Sequence, residues 1–384
     1  MAEHRTLTAN DSEQTPAAPT VCSRMRAPKT RGPKPLYTAV ATLGVLLGVA
    51  AASLPSPYLV ERPGMVLNTL GELEIEPGQA TAVVQPEAEI ASAAPNSGVL
   101  NMLTVSISGN KDRPRSWGSL IGPFFDESQD IIPVSEIYPE DRSVDDVNAE
   151  SAQLMQSSQN VAAAAALRYL GHPVENRVFV AGTVPDTAAA AQLQEGDEIL
   201  TVNGAVVTDG QDLVDAVQQV GDNTITLEIL RGSEKMSLAL ATTWSADAER
   251  FILGVYPRVE FGLPYTIDYA MTDIGGPSAG LVLALAIIDK MQEEDLTGGV
   301  QVSVTGTMNG RGEVGAIGGL KQKLYAAERA GTELFLMPAD NCSALPERIP
   351  GEMEVVAVAD LAAAVQTIRD YKAGKPTVGL TACD

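Results

Sequence analysis

Two segments of this chain hold the residue types best suited to act on a substrate together: Gly276-Pro277-Ser278-Ala279-Gly280 and Ile317-Gly318-Gly319-Leu320-Lys321. A serine hydroxyl is a weak nucleophile until a neighbouring base takes its proton. The 384 residues contain two histidines, His4 in a polar tail and His172 beside Pro173, in a different module from Ser278. A Ser-His-Asp arrangement would depend on His172. Lysine is the better base, provided that burial disfavours its ammonium form. The chemistry such a pair performs is acyl transfer, with Ser278 attacking a carbonyl and Lys321 receiving the proton.

The surroundings of both residues fit that use. After Ser278 the chain reads Ala-Gly-Leu-Val-Leu-Ala-Leu-Ala-Ile-Ile288, which predicts a helix apolar on every side, hence buried, and too short to cross a bilayer. Its N-terminus offers unpaired N–H groups beside Ser278, and Gly275 and Gly276 let the backbone approach a carbonyl closely. Gly275, Gly276 and Ser278 are therefore the candidate oxyanion site. Downstream, Val300–Thr305 alternates as a strand, Asn309-Gly310 and Arg311-Gly312 mark a turn, and a helix runs from Leu320 to Ala330, stopped by Gly331. Lys321 and Lys323 share its first turn, where the helix dipole opposes an ammonium. We read Lys321 as the base and Lys323 as a solvated surface charge. Gly-x-Ser-x-Gly by itself also suits a turn and a helix cap. The nucleophile elbow of α/β-hydrolases needs a histidine late in the chain, which is absent, and no lysine follows Ser278 by three residues.

Composition limits the alternatives. A net charge of −23 argues against nucleic acid as a partner, because binding phosphates needs clustered Lys and Arg. Aromatics are only 4% of the chain, so its cores must be built from Ala, Val, Leu and Ile. The charge is uneven: residues 1–35 carry six cations against three anions and lead into the uncharged run Leu36–Leu54. That run is near the about 20 residues a spanning helix needs, and the cations place the N-terminus inside and everything after Pro55 outside. A cleaved signal peptide is the alternative, since Ala50-Ala51-Ala52 resembles a small-residue cleavage site. On this topology Cys22 is cytosolic, while Cys342 and Cys383 lie where oxidation is permitted. They either close one bridge that tethers the C-terminal tail or remain two free thiols.

The expected organisation is multidomain, α/β and α+β: a disordered cytosolic tail (1–34), a transmembrane helix (35–55), a β-rich region (56–143), a helical segment (144–172), a β-rich module with one helix (173–244), an α/β domain holding Ser278 and Lys321 (245–372), and a C-terminal tail (373–384).

Two stretches carry family resemblances. The order of elements from Arg177, with Glu195-Gly-Asp-Glu-Ile-Leu-Thr-Val-Asn-Gly204, resembles a PDZ domain over about 70 residues. PDZ domains accept an extended peptide as an added strand, often gripping its carboxylate in a Gly-rich loop. The expected loop position here, Val174-Glu-Asn-Arg-Val-Phe179, lacks those glycines, which argues against carboxylate capture. The second resemblance is to the Lon peptidase domain. It rests on Gly276–Gly280, Val304-Thr-Gly306, Arg311-Gly312, Val314 and Ile317–Gly331, with Lys321 placed 43 residues after Ser278. With the upstream module and the apolar segment, the whole chain resembles the PDZ-containing, membrane-anchored, extracytoplasmic Lon-like peptidases of bacteria. The resemblance implies Ser278 as nucleophile, Lys321 as general base and Thr305 as a residue that hydrogen-bonds the lysine. It implies protein or peptide substrates, no metal or other cofactor, and a homo-oligomer, often a hexameric ring. Lon proteins commonly carry an acid three residues before the serine, where this chain has Gly275; Asp273, the nearest acid, receives no catalytic role. No Gly-x-x-x-x-Gly-Lys-Ser/Thr loop occurs, so no ATP use is expected. A non-catalytic PDZ adaptor or holdase is the competing reading.

Overall fold

The computed structural model describes residues 35–76, 78–87, 98–246, 248–271, 274–377 and 383. The expected cytosolic tail 1–34 with His4 and Cys22, Asp273, and half of the C-terminal tail (378–382 and 384) lie outside the described residues. Met1–Ala51 and Ala52–Asp384 are separate compact units.

All but the last two residues of α1 (Pro35–Ser53) lie in the first unit, with apolar side chains such as Leu43, Val45, Leu46 and Val49 exposed. Among the described residues, no helix is long and apolar enough to cross a membrane, so the spanning segment expected over 35–55 is not supported.

The second unit is organised around a six-stranded sheet. Its members are β1 (Tyr58–Asn68), β2 (Val99–Ser108), β3 (Asp130–Pro133), and, after a long insertion, β9 (Gln301–Val304), β10 (Leu334–Pro338) and β11 (Glu354–Val358). The order is β11-β10-β9-β2-β1-β3, parallel from β11 to β2 and antiparallel from β2 to β3. The region 56–143 is thus not a separate β-rich domain. It supplies three strands, half of the sheet that it shares with the 245–372 segment. Sequence patterning does not show this, because strand pairing across about 200 residues leaves no local signature.

Both faces of the parallel half are covered, which explains the unbroken apolar run Leu334-Phe-Leu-Met-Pro. Leu334 and Leu336 face one core, with Val302, Val304, Val356 and Val358; Phe335 and Met337 face the other, with Val355 and Ala357. The first core is filled by α4 (Gly280–Lys290), every residue of which is buried up to Asp289. Packed with it in that core are α2 (Val144–Tyr169), through Ala162–Ala166, and α6 (Leu361–Lys372). Ser143 begins α2 with a capping box closed by Asp146. The second core is covered by α5 (Leu320–Arg329), whose Leu320, Leu324 and Ala327 face the sheet.

The insertion forms its own sheet around a separate core. Its strands are β4 (Glu175–Thr183), β5 (Glu198–Val202), β6 (Thr224–Arg231), β7 (Glu234–Ala241) and β8 (Val255–Gly262), in the antiparallel order β7-β6-β5-β4-β8. Helix α3 (Gly210–Val220) packs Leu213 and Val217 into this core. The module therefore extends past the expected boundary at 244, because β8 returns to pair with β4. That pairing also corrects the expected peptide loop: the segment at 174–179 is enclosed between β5 and β8. β8 is one edge of this sheet, and beside it a cleft of ≈ 490 Å³ runs between α3 and the segment Arg250–Pro257.

The fully buried helix α4 holds this arrangement together, and Leu283 lies at its centre. Leu283→Ala should lower the unfolding free energy by about 2–5 kcal/mol in a denaturant titration. A change below about 1 kcal/mol would contradict the role given to this helix.

Candidate active site

Ser278 occupies the turn just before α4, and three contacts position it. The hydroxyl of Ser158 on α2 donates to the Pro277 carbonyl at 3.1 Å, the Gly276 N–H donates to the Ser151 carbonyl at 2.9 Å, and the Gly306 N–H donates to the Ser278 carbonyl at 3.0 Å. The turn is thus fastened to α2 on one side and to the end of β9 on the other.

These bonds revise the role of the glycines. Gly275 packs against Ser151, whose Oγ would lie 2.3 Å from an added Cβ, and the Gly276 N–H is already paired. Both seat the turn on α2, and the Gly276 N–H is taken by that contact. Of the three candidates, Gly275 and Ser278 keep an N–H that enters no hydrogen bond among the described residues.

The lysine that reaches Ser278 is Lys323. Its Nζ lies 3.0 Å from Ser278 Oγ and 3.0 Å from Thr305 Oγ1. Lys321 points away: its Nζ pairs with Asp130 Oδ1 at 2.6 Å and donates to the Gln129 carbonyl at 3.2 Å, with both partners partly exposed. The expected base is therefore corrected from Lys321 to Lys323, and Lys323 is not a surface charge but 3% exposed. The reason is helical geometry. Each residue turns 100°, so Lys323 lies within 60° of Leu320 on the buried side, whereas Lys321 is turned 100° toward solvent. Leu320, Leu324 and Ala327 carried this signal in the sequence, since they mark which side of the helix is apolar.

Thr305 is buried and accepts from the Lys323 amine rather than from Lys321, with which it was expected to bond, while its hydroxyl lies 3.4 Å from the Ser278 carbonyl. Burial pushes the Lys323 ammonium down to about 8. No ion pair to Lys323 forms among the described residues, so nothing there offsets the loss of water around its charge. An amine that is neutral in mildly alkaline solution, 3.0 Å from a serine hydroxyl, is equipped to take its proton.

Several further residues shape the site without having been legible as functional. Ser278 and Lys323 open into a cleft of ≈ 550 Å³ whose walls include Met102, Val105, Ile107, Met155 and Ile274. Glu61 also lines it, and burial first, then Asp130 and Glu136, raise its carboxyl above the usual range. The strand β2 pairs with β9 only through Val99–Met102, so Leu103–Ile107 present an edge to the cleft that no strand covers. Gly319, at φ +64°, begins α5 where a Cβ would meet Val105 Cγ2 at 2.4 Å, so the helix start lies directly against that strand. Asn341 braces the same wall by accepting from the Ile317 N–H and donating to its carbonyl, each at 2.9 Å. Cys342, next to Asn341, is joined to Cys383 with Cα atoms 5.2 Å apart.

The buried amine has a consequence for stability. Its folded-state value of about 8 lies below the ordinary 10.5, so the folded chain binds fewer protons than the unfolded chain between these values. The Lys323 contribution is therefore most favourable above pH 10.5 and is lost as pH falls toward 8. Lys323→Met should stabilise the protein at pH 7 by at most about 3 kcal/mol, with the difference shrinking as pH rises toward 10.5. Paired urea titrations at pH 7 and 10 check this; a gain that grows with pH would contradict it.

Residues 181–369 match the family model of the Lon protease (S16) C-terminal proteolytic domain. Among curated relatives, Lon protease 3 of Sorangium cellulosum is 31% identical over 175 residues, covering 43% of this chain and 20% of the relative. Lon protease of Phenylobacterium zucineum is 31% identical over 212 residues, covering 53% and 25%. Lon protease of Clostridioides difficile is 41% identical over 87 residues, covering 22% and 11%. The chain thus spans a quarter or less of the length of these relatives. The PDZ domain of an SdrC-like protein from Listeria innocua aligns with 21% of this chain and 92% of its own, at 20% identity and a TM-score of 0.20. The corresponding domain from Listeria monocytogenes covers 20% and 83%, at 21% identity and a TM-score of 0.19. The segment that brings Ser278 and Lys323 together is thus similar to the Lon protease (S16) C-terminal proteolytic domain.

Proposed function

We propose that this chain is an ATP-independent serine endopeptidase in which Ser278 is the nucleophile and Lys323 the general base. Its proposed substrates are exposed or unfolded segments of membrane and extracytoplasmic proteins. The observation that carries this reading is the 3.0 Å approach of Ser278 Oγ to a lysine amine that burial holds near neutrality. A non-catalytic adaptor has no use for a buried, unpaired lysine, which costs stability at neutral pH.

A substrate strand would lie along the uncovered edge at Leu103–Ile107, adding itself to the sheet through backbone hydrogen bonds. The apolar walls of the cleft favour apolar side chains. Ser278 Oγ attacks the scissile carbonyl carbon as its proton moves to Lys323 Nζ. The oxyanion forms beside the Ser278 N–H. Lys323 then returns the proton to the leaving amine as the C–N bond breaks, leaving an acyl-enzyme. A water that gives its proton to Lys323 attacks the ester, and Ser278 recovers its hydrogen as the acid product departs.

Attachment to a membrane through α1, with the N-terminus cytoplasmic and residues from 56 onward outside, is part of the proposal. Its support is the placement of cations before Leu36, the exposed apolar side chains of α1 and a disulfide suited to an oxidising compartment. ATP independence is supported by the lack of a phosphate-binding Gly-x-x-x-x-Gly-Lys-Ser/Thr loop in this chain. Assembly into a homo-oligomeric ring rests on the resemblance to Lon peptidases alone.

A fluorophosphonate probe should label Ser278 in the full chain, and Lys323→Ala should abolish both labelling and cleavage of an unfolded protein substrate. Lys321→Ala should retain cleavage within about fivefold, because an exposed ion pair is worth no more than about 1 kcal/mol. Loss of activity in Lys321→Ala with full activity in Lys323→Ala would reverse the assignment. The cleavage rate should rise with pH and level off above about 8, as Lys323 becomes neutral. A rate that falls between pH 6 and 8 would exclude a neutral lysine as the base.

A further inference from the structure

We propose that the lobe formed by Trp117, Ile121, Phe124 and Phe125 docks on a lipid surface at the boundary between headgroups and acyl chains. This inference goes beyond the peptidase reading and rests on the proposed attachment of α1 to a membrane.

The exposure of these side chains is unusual for so aromatic-poor a chain. Phe124 is 74% exposed, Phe125 79%, Ile121 62% and Trp117 47%. Six phenylalanines and two tryptophans serve all 384 residues, yet two of the former and one of the latter stand in solvent within nine positions. The backbone here is a short 3₁₀ turn, Trp117–Leu120, followed by one helical turn, Ile121–Phe124. Leu120 alone points inward, so the remaining large side chains contribute nothing to the core. Contiguous exposed apolar side chains of this kind mark a surface that something covers.

The position of the lobe identifies the covering. The Trp117 N–H donates to the carbonyl of Leu54 at 3.1 Å, Pro55 forms a β-bridge with Ser116, and the Trp117 ring packs edge-on against Tyr58 at 5.7 Å. Leu54, itself exposed, directly follows the last residue of α1. The described large side chains of α1, including Val40, Leu43, Val45, Leu46, Leu47 and Val49, are exposed without a polar side to the helix, a pattern that hydrocarbon satisfies all round. Whatever covers α1 therefore ends within a residue or two of the point to which Trp117 is bonded. Tryptophan and tyrosine favour that depth in a bilayer, where the ring is apolar and its polar edge stays wet. Phe124 and Phe125 extend the contact outward from this point.

The same segment continues into the site. Glu127, Ser128 and Asp130 contact Tyr325, Arg329, Lys321 and Gln322 along the outer side of α5, the helix that carries Lys323. A lobe resting on lipid would hold that helix, and the cleft beside it, at the membrane surface. Chains emerging from the bilayer would then be the nearest substrates.

Trp117 is its own reporter. In a Trp244→Phe background it is the single tryptophan of the full chain, which is reconstituted into phosphatidylcholine–phosphatidylglycerol vesicles with plain or brominated acyl chains. Flotation of the vesicles reads attachment, and tryptophan emission reads docking. The expected result is co-flotation, with Trp117 emission shifted to the blue and reduced by roughly half in brominated lipid. Phe124→Ser with Phe125→Ser should weaken the quenching while cleavage of a soluble unfolded substrate is retained. Co-flotation with unquenched Trp117 emission would overturn the docking surface and leave the attachment of α1 standing. Absence of co-flotation would overturn both without touching the peptidase assignment. A blue shift that follows protein concentration and ignores bromine would assign the lobe to a second copy of this chain, and overturn the proposal.

Discussion

The structure depends on one unfavourable placement, the burial of the Lys323 amine against two neutral hydroxyls. Burial without a partner carboxylate is what lowers its proton affinity, and a carboxylate beside it would restore the ammonium and remove its use as a base. The fold must therefore hold the amine in place by packing and by hydrogen bonds to neutral hydroxyls. Leu320 and Leu324 bury the helix on either side of it, and Thr305, at the end of β9, meets the amine from the sheet. The same strand end receives Ser278 through the Gly306 N–H, so one short stretch of backbone sets the position of both reacting groups.

This convergence requires segments distant in sequence. The turn at Ser278 is fastened to Ser151 and Ser158 on α2, which precedes the inserted module, while the cleft wall opposite is β2, earlier still. The insertion interrupts the domain between α2 and α4 without separating them, because the two helices share one core. Polar contacts tie the module back to it: Arg168 on α2 donates to the Gly310 carbonyl, and it also bonds Asn176 of β4. Arg311 from the same hairpin pairs with Asp212 in the first turn of α3, which lines the cleft beside β8.

Much of the arrangement was legible locally. The helix after Ser278, the helix after Gly319, the stop at Gly331 and the long helix beginning near residue 144 follow from periodicity, caps and glycine. Thr305 was identified from the family resemblance. The choice between Lys321 and Lys323 was also present in the sequence, since the positions of Leu320, Leu324 and Ala327 assign each lysine to a side of the helix. The interval from the serine was a weaker guide than that pattern. The roles of Gly275 and Gly276 were not legible, because a glycine that permits a substrate to approach and one that permits a helix to approach look alike. Only Ser151, 124 residues before Gly275, distinguishes them.

The sequence by itself determined the chemistry of the parts: a serine that lacks a usable histidine, lysines at a helix start, a threonine at a strand end, and apolar runs that must be buried. These properties are local, set by residue type and by periods of two or 3.6. Tertiary structure decided which lysine is dehydrated, which backbone N–H remains unpaired, and that residues 56–143 belong to the same sheet as the site. Those depend on contacts between segments that no local period encodes, since desolvation is a property of what surrounds a side chain rather than of the side chain itself.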